Sequence, residues 1–336
     1  MRRILIDASL EQKAEEFANG LFTSKKGNFK NPISNLETLR DSLGIIKYKV
    51  ERAYIQKIID DYPKILKASP SKMKELITEF DKLNNGGILE KKIKPKDKLK
   101  FHERIVKAMR YDELRNSEFK HFVEATGIKS CVYCNSQLAV VTSFSYYDKK
   151  HKKRKPKTMA KFELDHYHSK SKYPFLCTSF YNLYPVCGNC NRAKSDKPIN
   201  FELYTTEVND VDVFKFWLDD QSILEYWLDT VPNHSKLKVH FESVDGNFTY
   251  LNEYNKMFAI QGIYETQKDV AEELLHKAKV YSRAYKKSLV DNFKELFPDD
   301  AILNRLIIGN YASEAETHKR PMAKYSQDLA KQLGLI

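Results

Sequence analysis

Cys131-Val-Tyr-Cys134, Lys161-Phe-Glu-Leu-Asp165-His166-Tyr-His168-Ser-Lys170 and Tyr181-Asn182-Leu-Tyr-Pro-Val-Cys187-Gly-Asn-Cys190-Asn191-Arg192-Ala-Lys194 are the stretches on which the reading of this chain turns. Two residues between paired cysteines let a tight knuckle aim both sulfurs at one ion. Two such knuckles complete a tetrahedral S4 site with Zn–S near ~2.3 Å. The 52 residues between Cys134 and Cys187 exceed the spacing of a simple zinc ribbon. The spacing therefore predicts a structural zinc on Cys131, Cys134, Cys187 and Cys190 that clamps a substantial inserted element. Four ordinary buried thiols are the alternative. A redox role fits less well, because no thioredoxin-like βαβ pattern surrounds either pair. Cys177 stands alone and reads as a small core residue.

Inside the clamp, Phe162 and Leu164 alternate with Glu163 and Asp165, the period of a strand with one buried face. Leu183 to Val186 reads as a second strand, and the Cys190-Asn191 step as the opening of a helix that carries Arg192 and Lys194. The residue types match phosphodiester hydrolysis, which needs an activated water and a divalent cation at the phosphate. Asp165 and Asn191 offer hard oxygens suited to Mg²⁺ or Mn²⁺. An ordinary imidazole at His166, with a pKa near ~6.5, takes a proton from water at neutral pH and fails below about pH 6. Soft thiolates take zinc and hard oxygens take magnesium, so one motif can hold both metals apart. Each assignment has a plainer counterpart: a hydrogen-bonded structural His166, an N-cap at Asn191, a turn residue at Asn182. His168 reads equally as a phosphate contact or a solvent-facing ring. Lys170, Arg192 and Lys194 are candidate phosphate contacts.

This order of residues resembles the HNH endonucleases, whose core is the ββα-metal (His-Me) finger, and is similar to HNH nucleases of bacterial anti-phage systems of the Septu type. The resemblance covers about residues 131–197. It implies Asp165 and Asn191 as ligands of the catalytic metal, His166 as general base and Asn182 as the residue that holds the catalytic loop. It also implies a DNA substrate and an ATPase partner protein. Ser169 stands where a "DHxxPK" motif has proline, a departure that removes no catalytic group.

Farther out, Lys149-Lys150-His-Lys152-Lys153-Arg154-Lys-Pro-Lys157 carries seven Lys or Arg in nine residues. It reads either as a solvated hairpin tip or as a contact to the DNA backbone. Residues 1–127 read as helical, with capping boxes at Ser9 and Ser34 and an N-cap at Ser69 ahead of Pro70. Asn84 to Gly87 ends the helix that follows Pro70. A lysine-rich connection occupies 91–100, and one helix is expected over 101–126 with Gly127 at its C-cap. In 201–336, Phe214 to Leu218 and Leu237 to Phe241 alternate as strands. A long helical pattern then runs over 264–296, and Trp217 and Trp227 read as core. The expected division is 1–127 helical, 128–200 an HNH nuclease domain, and 201–336 a mixed α/β region, giving an α+β fold.

The 336 residues carry 57 Lys plus Arg against 45 Asp plus Glu, a net charge of +12 that favours polyanions. With 42% hydrophobic residues the chain is not disordered, and no apolar run reaches the ~20 residues of a membrane span. Met1-Arg-Arg-Ile-Leu-Ile-Asp7 is no signal peptide, so a cytoplasmic protein with reduced thiols and no membrane association is expected. The sequence sets no oligomeric state. Two other functions compete: a non-catalytic zinc module that binds nucleic acid, and a regulatory protein whose 264–296 helix binds a partner. The first has no need of Asp165, His166 and Asn191, and their joint presence argues against it.

Overall fold

The computed structural model describes residues 1–336 apart from 24–30, 85, 94–95 and 117. Asn85 of the expected helix stop and Lys94 and Pro95 of the lysine-rich connection thus lie outside the described residues. The fold is α+β. Helices Ala8–Thr23, Ile33–Asp41, Lys49–Lys67 and Pro70–Leu83 build the N-terminal part. Ser69 caps the last of these, its hydroxyl accepting the Lys72 N–H at 3.4 Å. Ser9 and Ser34 do not cap. Asp7 accepts the Leu10 N–H at 2.8 Å and Asn31 accepts the Ile33 N–H at 3.0 Å. In each case a short polar side chain slightly upstream reaches the free N–H groups first.

The expected helix over 101–126 is three shorter ones, Phe101–Ala108, Tyr111–Asn116 and Glu118–Thr126. Arg110, with φ +60°, breaks the first from the second, and Gly127, with φ +74°, ends the third. Met73, Leu76 and Phe80 form the buried stripe of helix 70–83. Phe80 stacks flat on Phe175, with ring centroids 3.8 Å apart, and Tyr54 packs edge-on against Phe80. This aromatic cluster braces the loop that leads to Cys177.

Eight strands form four two-stranded sheets among the described residues. β1 (Ile4–Leu5) pairs parallel with β6 (Tyr204–Thr205). β2 (Val140–Asp148) and β3 (Lys153–Lys161) make an antiparallel ribbon. β4 (Glu163–His166) pairs antiparallel with β5 (Leu183–Val186), and β7 (Phe214–Leu218) with β8 (Val239–Ser243). The free edge of β7 is satisfied by the C-terminal helix Ala323–Gln332. Asp328 accepts the Phe216 N–H at 2.9 Å, and Gln332 accepts the Leu218 N–H and donates to the Leu218 carbonyl.

The long helical pattern of 264–296 is also interrupted. Its apolar residues fall on the end of Ile260–Glu265, on Lys268–Val280 and on Arg283–Asn292. Ser282 caps the last segment through the Tyr285 N–H at 3.2 Å. Tyr285 and Phe293 are exposed. Trp217 and Trp227 are half-buried. Trp217 stacks on His240 at 4.4 Å, and the Lys279 ammonium sits 3.1 Å from the Trp227 ring centroid. One buried cluster joins all three parts of the chain, with Tyr54, Val132, Leu183, Phe216 and Tyr264 among its members. Among the described residues no helix is long and apolar enough to cross a membrane.

His318 ties the ends of the chain to the first knuckle. Its Nε2–H donates to the Arg2 carbonyl at 2.9 Å, and its own carbonyl accepts from Lys129 N and Ser130 N. Burial pulls its pKa down to about 4. The unfolded chain therefore takes up this proton first. The stability is complete above about pH 6.5 and is lost as pH falls toward 4, by an amount on the order of 3 kcal/mol. Urea midpoints measured from pH 7 to pH 5 should fall more shallowly in His318→Gln than in the unsubstituted chain. Equal slopes would show that His318 does not contribute.

Candidate metal centre and cleft

The first knuckle is wound by its own backbone. Asn135 N donates to the Cys131 carbonyl at 2.8 Å, and Asn135 adopts φ +51° to close the turn. The second knuckle opens helix Gly188–Lys194, where Cys187 is the N-cap and its sulfur accepts the Cys190 N–H at 3.5 Å. The helix thus starts at Gly188, two residues ahead of the expected opening at Cys190. The Sγ atoms of Cys131, Cys134, Cys187 and Cys190 all lie within 4.8 Å of one another, and all four residues are buried. A tetrahedron with Zn–S of ~2.3 Å has S···S edges of ~3.8 Å, and Cys134 and Cys187 are 4.0 Å apart. All four are free thiols. Burial, with Cys134 and Cys187 adding to it, drives Cys131 toward its protonated form, a cost that a bound cation would reverse. The donor set fits a metal such as zinc. Ser136 donates its hydroxyl to the Cys134 sulfur at 3.2 Å, and Tyr264 donates to the Cys134 carbonyl at 2.9 Å.

The clamp sets the surroundings of Asp165. Tyr133, between the first two cysteines, donates its hydroxyl to Asp165 Oδ2 at 2.6 Å. Lys194, on the helix that the second pair opens, donates to Asp165 Oδ1 at 3.1 Å and to the His166 carbonyl at 3.0 Å, and lies 3.0 Å from Oδ2. Read from the sequence as a phosphate contact, Lys194 is in fact 1% exposed and serves as the counter-ion of Asp165. Burial pushes the Asp165 carboxyl up, while Lys194 and Tyr133 pull it back down. Tyr133 carried no sequence signal beyond its place inside a CxxC pair.

His166 is buried at the end of β4, and its ring packs 4.7 Å from that of Tyr111. Its Nε2 lies 3.1 Å from the Cys177 carbonyl. A carbonyl only accepts, so Nε2 carries the hydrogen and the neutral ring keeps its lone pair on Nδ1. Burial, with Lys170 and Lys194 adding to it, lowers the pKa to about 3. The ring therefore stays neutral at pH 6, where the sequence reading had it protonating. Asn182 is fully buried. Its Oδ1 accepts the His168 N–H at 2.7 Å, and its Nδ2 donates to the His168 and Leu176 carbonyls. It staples both sides of the loop between β4 and β5. His168 is half-buried between Tyr167 and Tyr173, and burial lowers its pKa to about 4.

Asn191 donates its Nδ2 to Glu163 Oε2 at 2.6 Å, which leaves its amide oxygen as the free hard donor. Glu163 was not singled out in the sequence, although its i, i+2 relation to Asp165 places both on one strand face. Asp165, His166 and Asn191 line one cleft of about 350 Å³, whose other walls include Lys170, Arg192 and Ser195. Lys170 and Arg192 are exposed there. Lys149, Lys150 and Lys152 lie in the exposed turn between β2 and β3, and Lys153 and Arg154 on β3 itself. Comparison with known families, curated proteins and solved structures finds no match for this chain.

Structural zinc binding contributes on the order of 10 kcal/mol in small modules. Elemental analysis should find close to one zinc per chain, and Cys131→Ala or Cys187→Ala should fold poorly. Metal-free protein that keeps its near-UV circular dichroism and thermal midpoint would overturn this.

Proposed function

We propose that this chain is a metal-dependent endonuclease of the HNH type that hydrolyses phosphodiester bonds in DNA. The observation that carries the reading is the convergence of Asp165, His166 and Asn191 on one cleft, with the His166 tautomer set by the Cys177 carbonyl. Asp165 and Asn191 are the residues that would hold Mg²⁺ or Mn²⁺, which neutralises charge on the scissile phosphate and the leaving oxygen. His166 Nδ1 takes the proton of the attacking water. Lys194, Tyr133 and the His166 backbone N–H all hold the Asp165 carboxylate, so a metal ligated there would compete with them. A cation bound there meets the Lys194 charge at close range, so its affinity depends on DNA phosphate completing the site. Lys170 and Arg192 stand at the same cleft as phosphate contacts, and the turn and ribbon lysines add a sequence-independent grip. The motif resemblance sets the biological role we assign, an effector of anti-phage defence working beside an ATPase partner.

Plasmid relaxation by purified protein tests the reading. Cleavage should vanish in EDTA and return with excess Mg²⁺ or Mn²⁺. His166→Ala should keep its zinc and its DNA affinity while losing roughly 10²–10⁴-fold in rate. Full cleavage by His166→Ala would overturn the assignment of His166 as the base, whereas binding without cleavage by the unsubstituted protein would favour a non-catalytic zinc module instead.

The basic turn is tested separately. Neutralising Lys149, Lys150, Lys152, Lys153 and Arg154 should weaken binding to every sequence and flatten the salt dependence by about 0.9 log unit per lost phosphate contact. An unchanged slope would assign these residues to solvent.

A further inference from the structure

The β2–β3 ribbon carries more than charge. Phe144, Tyr146 and Tyr147 are 46%, 42% and 59% exposed. The register sets each of them directly opposite a cation: Phe144 against Lys157, Tyr146 against Lys155, Tyr147 against Arg154. Residues directly opposite share a face. Phe144 and Tyr146 therefore form one face with Lys155 and Lys157, and Tyr147 and Arg154 lie on the other. The ribbon holds one acid, Asp148. That carboxylate is committed to the turn, accepting from Lys150 N and His151 N and pairing with His151 and Lys155.

Lysines on an open ribbon guard its edges against pairing with other strands. Guarding does not call for three exposed aromatic rings. An apolar protein partner is a poor match, since every ring faces a cation. Rings beside cations match a polyanion whose bases are free to stack, because stacking is tolerant of sequence and the cations follow the backbone. Phe144 and Tyr146 stand ~6.8 Å apart along the strand, two residues at ~3.4 Å each. That is twice the ~3.4 Å rise of a stacked strand in a duplex, so the pair accepts bases drawn apart rather than bases in a helix.

We infer that the β2–β3 ribbon binds single-stranded nucleic acid by stacking unpaired bases on Phe144 and Tyr146. β3 continues through Phe162 alone into β4, the strand that carries Asp165 and His166. That the bound nucleic acid is also the substrate rests on the nuclease reading above.

The test is fluorescence anisotropy on the full chain, with no Mg²⁺ or Mn²⁺ added, using labelled (dT)20 and a 20-base-pair mixed-sequence duplex. The unsubstituted protein should bind (dT)20 at least tenfold more tightly than the duplex. The double variant Phe144→Thr, Tyr146→Thr keeps strand propensity. It should lose about tenfold or more on (dT)20, the scale of a lost base stack, and less than twofold on the duplex. Phe144→Tyr with Tyr146→Phe should retain binding. Photocrosslinking of a 5-iododeoxyuridine oligonucleotide to Phe144 or Tyr146 reads the contact without any substitution. Equal affinity for duplex and single strand, unchanged (dT)20 binding by the Thr variant, or crosslinks confined to other residues would overturn the inference. Tight (dT)20 binding by a protein that cleaves no DNA would overturn the nuclease reading and leave the ribbon's role standing.

Discussion

Four sulfurs drawn within 4.8 Å of one another join chain segments that are 52 residues apart in sequence. Most of the site's geometry depends on this constraint. The first knuckle carries Tyr133 to the Asp165 carboxylate. The second opens the helix whose Asn191 and Lys194 converge on the same strand. Without the clamp, a four-residue strand paired only with another four-residue strand has little to hold it, since isolated two-stranded pairings are marginal in water. The hydroxyls of Tyr254 and Tyr264 on the Tyr133 and Cys134 carbonyls tie the knuckle to the C-terminal helices, so the third part of the chain also supports the site.

The buried Asp165–Lys194 pair is the costly element. Taking both charges out of water carries a desolvation penalty of several kcal/mol per ion, repaid only when geometry and further hydrogen bonds are good. Here the carboxylate also receives Tyr133, and the ammonium also reaches the His166 carbonyl. The pair thus does two things. It pulls the buried carboxyl's pKa down against the effect of burial, and it locks the end of β4, where His166 sits, to the helix that carries Asn191. Removing either partner would strand the other charge, at roughly 3–5 kcal/mol.

The helical N-terminal part acts on His166 from the opposite side. The Phe80–Phe175 stack and Tyr54 hold the short turn Pro174–Leu176, and the next residue, Cys177, offers the carbonyl that fixes the imidazole. Asn182 closes the same loop from within. The imidazole is therefore held by elements from two parts of the chain. The β2–β3 ribbon, by contrast, is a two-stranded sheet that leaves Phe144, Tyr146 and Tyr147 exposed to solvent.

Some of this was legible in the linear sequence because its determinants are local. Two-residue spacing within each cysteine pair is enough to form a knuckle, and the four sulfurs do converge. Ser69-Pro70 marks a helix start, and the apolar run from Leu183 to Val186 marks a strand, because a cap or a strand period involves only near neighbours. Other features depended on residues distant in the chain. Lys194 reads as a surface lysine until helix 188–194 packs against β4 and takes it out of water. His166 carries an ordinary pKa until Tyr111 and the 174–177 turn bury it. The apolar rows over 101–126 and 264–296 look continuous, yet a backbone turn at Arg110 and a cap at Ser282 break them where packing needs a new direction. Residue type and spacing determined which atoms could act as ligands, bases and caps. Burial and partner choice were decided only by the tertiary structure, because the energy of a charge depends on what surrounds it rather than on what precedes it in the chain.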